Sequence, residues 1–85
     1  MDDEVLDFEY SRDDVKRDII YAGAGLGLPA GWLEQMAEIT TQAVDQWIAD
    51  KATVTEDDIR RKVILELEPL NADVAYAFDN YGKII

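Results

Sequence analysis

Six of the eight basic residues in this 85-residue chain fall into two clusters, Arg12, Lys16 and Arg17 in one and Arg60, Arg61 and Lys62 in the other. Against 19 acidic residues and a formal net charge of −11, they are the side chains best suited to hold an anion. Arg presents a planar fork of donors that fits a phosphate or carboxylate, and Lys presents a compact point charge. Two arrangements fit the spacing. If the two segments lie side by side, the six residues make one cationic patch on a negative protein. If not, Asp13 with Arg17, Asp57 with Arg61 and Asp58 with Lys62 stand in the favourable acid-first i,i+4 order and form local ion pairs.

The chain has no His and no Cys. It therefore lacks the commonest general base, the commonest zinc ligand and the strongest nucleophile, and acid-base work would fall on carboxylates. The acid pairs Asp13 with Asp14 and Asp57 with Asp58 do not converge on one ion, because neighbours on a helix point about 100° apart. Both pairs fall in helix first turns, where the macrodipole favours negative charge. Gly23, Gly25 and Gly27 lack the preceding strand and glycine spacing of a dinucleotide loop, and the Gly-Lys-Ser/Thr of a P-loop. They read as a flexible connector between helices. The expectation is a non-enzymatic chain with no metal site and no required cofactor.

The elements that must position these residues are mostly helical. Leu6, Phe8 and Tyr10 alternate with Asp7 and Glu9, the period of a short half-buried strand over residues 5–10. Ser11 with Asp14 and Thr55 with Asp58 have the spacing of helix caps, and Asn71 caps a last short helix. Pro29 suits a helix first turn, and Pro69 stops a helix. The periodicity predicts helices over about residues 11–22, 30–49, 56–68 and 72–81. Leu33, Met36, Val44, Trp47, Ile59, Val63, Val74 and Phe78 are the predicted core. The fold class is all-α, four helices with one short N-terminal strand.

Length and composition set the frame. Eighty-five residues, 48% of them hydrophobic, suffice for one domain over 1–85 with an acidic tail at 1–4. No apolar run approaches the roughly 20 residues of a membrane span, and Met1, Asp2, Asp3 and Glu4 are unlike the basic start of a signal peptide. A soluble, cytoplasmic chain is expected. The charge balance opposes nucleic acid and anionic lipid. Trp32 lies at a helix start outside the main apolar stripe, where an aromatic suits an interface, so a protein partner or self-association is expected there.

Three segments carry a family resemblance. Phe8-Glu9-Tyr10-Ser11-Arg12-Asp13-Asp14-Val15 resembles the approach to the first helix of ATP-cone domains, commonly Phe-Asp-Arg-Glu-Lys-Ile. Ala52 to Ile59 resembles their later Val-Thr-x-x-x-Ile capped helix, and Val74 to Tyr81 their closing Val-Ala-x-x-Tyr-x-x-Tyr. Together they span about residues 8 to 82. The resemblance implies an allosteric module of the kind found in ribonucleotide reductases and their transcriptional repressor, with ATP or dATP as effector. It places Thr55 near the nucleotide and gives Ser11 an assisting polar role. The family's opening basic strand, Val-x-Lys-Arg-Asp-Gly, has no counterpart here, and Asp14 stands where its first helix carries Lys. The expectation is therefore a regulatory or binding module with weak or lost nucleotide binding, acting by protein association. The alternative is a working ATP/dATP sensor that uses Ser11, Arg12, Lys16, Thr55, Arg60 and Arg61.

Overall fold

The computed structural model describes residues 10–81, with the Tyr81 side chain excepted. Four helices follow one another: α1 Arg12–Ala24, α2 Ala30–Ala49, α3 Glu56–Leu67 and α4 Ala72–Tyr81. The strand expected over residues 5–10 lies outside the described residues apart from Tyr10, which has no regular structure. The acidic tail at 1–4 lies outside them too.

Local chemistry sets the helix starts. The Ser11 hydroxyl accepts from the Asp14 amide at 3.3 Å, so one orphan donor of α1 is satisfied. α3 opens with a complete capping box: the Thr55 hydroxyl accepts from the Asp58 amide at 3.0 Å, and the Asp58 carboxylate accepts from the Thr55 amide at 3.1 Å. Asn71 Oδ1 accepts from the Asp73 and Val74 amides and starts α4. α2 has Pro29 in the cap position with no side-chain cap. Its start rests on packing, because Leu33 in its first turn is buried.

α1 runs two residues past its expected end. Gly23 is not part of a flexible connector; it lies inside the helix and is buried against the Leu33 side chain, where a Cβ would overlap Leu33 Cδ2. The absent side chain lets α2 approach α1 closely. The turn itself falls at Gly25 and Gly27, and Gly27 takes a left-handed φ of 83°.

The short connections make consecutive helices antiparallel neighbours. α1 packs on α2 and α4, and α3 packs on the same two, while the backbones of α1 and α3 stay further apart. The starts of α1 and α3 thus share one pole with the end of α4. The start of α2 and the α3–α4 connection share the other. The core joins Ile19 and Ala22 of α1 to Leu33, Met36, Ala37 and Val44 of α2, Ile59, Val63 and Leu67 of α3, and Val74, Ala75 and Phe78 of α4. Trp47, expected in the core, is only half-buried, because it lies at the edge of the cluster under the ammonium groups of Lys51 and Lys62. Among the described residues no helix is long and apolar enough to cross a membrane.

Candidate functional site

Each of the two basic clusters is divided among several partners. On α1, Arg12 reaches across to α2, where its Nε and Nη2 both donate to Asp45 Oδ2, at 2.9 and 2.5 Å. Lys16, one turn on, donates to Glu38 at 2.7 Å. The Arg12 guanidinium is held above its usual pKa, first by the hydrogen bond to Asp45 and then by that carboxylate's charge. Glu38 is held below the usual carboxylate range by hydrogen bonds from Lys16 and from Gln42. These two bridges tie α1 to α2 outside the apolar core. Arg17 points elsewhere, pairing with Asp14 and Asp18, not with Asp13.

On α3 the three basic residues also diverge. Arg60 turns towards α4, where its Nη2 donates to the carbonyls of Phe78 at 3.2 Å and Asp79 at 2.6 Å, with the guanidinium over the Phe78 ring. A cation there meets the negative end of the α4 dipole and fills carbonyls the helix leaves open. Arg61 pairs with Asp57, the i,i+4 partner expected from the spacing. Lys62 pairs with Glu66 instead of Asp58, whose carboxylate is engaged in the capping box. The side-by-side packing that one cationic patch requires is absent, since α1 and α3 face each other across a groove.

That groove is the first candidate site. It holds about 220 Å³, and its walls include the cap residue Ser11, Asp14, Arg17 and Asp18 of α1, and Glu56 and Arg60 of α3, over a floor that includes Phe78. Of the six residues singled out in the sequence, it brings together Ser11 and Arg60. Arg12 and Lys16 are held by α2, and Thr55 and Arg61 by their own helix. The charged side chains lining the groove are three carboxylates and two guanidiniums, so it is net negative. Arg17 and Arg60 are already engaged there. Tyr10 lies at one end, its ionisation pushed above the usual tyrosine value mainly by burial and then by Asp45. Among the described residues no three carboxylates gather in a metal-binding group.

The second candidate is an apolar hollow at the opposite pole. Trp32, Gln35, Met36 and Ile39 on α2 and Leu70 after α3 border a shallow, open hollow of about 250 Å³. Trp32, Ile39 and Leu70 are 63%, 48% and 43% exposed, while Met36 is buried. Positions 32, 35, 36 and 39 form an i, i+3, i+4, i+7 stripe beside the face that builds the core. Single exposed apolar residues are ordinary, but several around one hollow mark a contact surface. The sequence singles out Trp32 alone. Ile39 falls outside the predicted core, and Leu70 reads as loop between two helices, so only the fold joins the three.

Comparison with protein-family models, with curated proteins and with solved structures yields no match to this chain.

Proposed function

We propose that this chain is a small non-catalytic regulatory or binding module, akin to an ATP-cone domain, that works by associating with protein through the Trp32 face. The observation that carries this reading is the solvated group of Trp32, Ile39 and Leu70 around a hollow. A large aromatic at the rim of an apolar hollow is the usual anchor of a protein contact. The absence of His and Cys from the sequence supports a non-catalytic role. So do the carboxylates: Asp45, Glu38, Asp57 and Asp58 are each held in an ion pair or a cap. The net-negative α1/α3 groove supports weak or lost nucleotide binding, with ATP or dATP at most a minor effector.

Oxidative footprinting of the chain in isolation and inside its host cells tests the association. Trp32 and Ile39 are expected to label strongly in isolation and to be protected in cells, with Tyr21 and Leu65 as exposed references. Equal labelling of Trp32 in both settings would remove the Trp32 face from the account.

A further inference from the structure

We infer that the occupant of the Trp32 hollow is a cationic amphipathic helix of another protein, and not a second copy of this chain. This rests on the reading of the Trp32 face as the working surface and adds the chemistry of its partner. The apolar stripe from Trp32 to Ile39 is straight and about 10 Å long, the footprint of a second helix laid along α2.

Charge then selects the partner. No basic residue occurs between Arg17 and Lys51, or between Lys62 and Lys83, so both segments that build the hollow carry carboxylates only. The basic side chains of the described residues are all engaged elsewhere. Arg12 and Lys16 bridge to Asp45 and Glu38, Arg17 pairs with Asp14 and Asp18, and Arg61 pairs with Asp57. Lys51 and Lys62 lie over Trp47, and Arg60 holds the end of α4. Glu38 is about 100° round α2 from Ile39, so even the Lys16 bridge falls on another face.

Glu68 and Asp73 flank Leu70 in the sequence. Both are exposed and form no ion pair among the described residues. Glu68 stands at the C-cap of α3, whose last turn has no basic residue. A carboxylate at that end of a helix is unfavourable, and an incoming cation relieves it. A second copy would instead bring the same carboxylates against their like, between two bodies of charge −11. A helix with apolar residues on one face and Lys or Arg beside them satisfies both the hollow and its rim.

The experiment uses the whole chain and three synthetic helices of about four turns: a Leu/Lys amphipathic peptide, its Leu/Glu twin, and a Lys/Gln peptide with no apolar face. Backbone amide and indole shifts are followed on titration. The Leu/Lys peptide is expected to bind saturably, with shifts centred on Trp32 to Ile39 and Leu70. Trp32→Ala should weaken it about tenfold or more with the melting curve preserved. Glu68→Lys combined with Asp73→Lys should move the preference towards the Leu/Glu twin. Binding of the Leu/Glu twin to the unaltered face, or dimerisation through it, overturns this inference and leaves the association reading intact. Leu/Lys binding that ignores Trp32→Ala, or is matched by the Lys/Gln peptide, is charge alone and also overturns it. A face that takes neither peptide nor a second copy overturns both readings.

Discussion

Gly23 of α1 and Leu33 of α2 pack so closely that a Cβ built on Gly23 overlaps Leu33 Cδ2 and stands 3.1 Å from Cδ1. Leu33 is buried, so it has little room to yield. Gly23→Ala is expected to lower stability by about 1 to 2 kcal/mol, overpacking outweighing the better helix propensity of Ala. Gly31, in the first turn of α2, has nothing within 4 Å of an added Cβ. Gly31→Ala should therefore raise stability by about 0.5 to 1 kcal/mol. Paired denaturant titrations check the opposite signs; a stabilising Gly23→Ala would mean that the helices do not meet there.

The two hydroxyl caps should differ in strength. Thr55 belongs to a reciprocal box with contacts of 3.0 and 3.1 Å, whereas Ser11 makes one longer contact of 3.3 Å. Thr55→Ala is expected to cost about 1 to 2 kcal/mol and Ser11→Ala about 0.5 to 1 kcal/mol. Neither loss should depend on added nucleotide. Thermal melting of both variants, with and without ATP, reads this; equal melting of Thr55→Ala and the parent would move the start of α3.

The buried Thr40 hydroxyl has no hydrogen-bond partner, while the neighbouring Thr41 hydroxyl donates to the Ala37 carbonyl at 2.9 Å. Thr40→Val removes an unsatisfied polar atom with little change of shape and should stabilise by about 1 kcal/mol. Tyr10 adds a pH dependence. Its folded pKa is raised above 10.0, mainly by burial, so the folded state holds the phenol proton longer than the unfolded state does. That contribution is fully present below pH 10.0 and is lost as pH rises from there towards the folded value. Tyr10→Phe should therefore leave neutral-pH stability nearly unchanged and flatten the decline above pH 10.0. An alkaline melting series that is identical for the two proteins would place Tyr10 in solvent.

ATP, dATP and ADP are expected to bind in the millimolar range or not at all. A triphosphate carries about four negative charges and would enter a groove walled by Asp14, Asp18 and Glu56. On the proposed likeness to an ATP cone, the Lys and Arg of that family's opening strand are two charge-assisted contacts of about 1.5 to 3 kcal/mol each, and their absence corresponds to a loss of roughly two to four orders of magnitude in affinity. Titration with and without magnesium, followed by amide shifts, decides the matter. A saturable micromolar response centred on Ser11 to Arg17 and Thr55 to Lys62 would restore the sensor.

Helix boundaries were the most legible part of the sequence, because caps are local chemistry. Ser11, Thr55 and Asn71 each accept the backbone donors that their spacing from the next turn implies. Core positions were legible where the period was regular, as at Ile59, Val63 and Leu67. What the sequence hides is pairing across helices. Arg12 with Asp45 is separated by 33 residues, and Arg60 with the Asp79 carbonyl by 19, so neither follows from a helical repeat. Gly23 misled for the same reason: its role depends on Leu33, a residue of a different helix. The Trp32 hollow likewise needs Leu70, which no periodicity connects to α2.

The antiparallel order of the helices also fixes a direction along the molecule. Tyr10 and the end of α4 share the pole of the α1/α3 groove, while Trp32 and Leu70 share the other. A tether fixed at the first pole would therefore hold the hollow outward, like a plug on the end of its cable. Anchoring the chain to a sensor surface through the Tyr10 pole should leave the hollow free to be read, whereas a label placed in the Gly25 to Pro29 turn would crowd it.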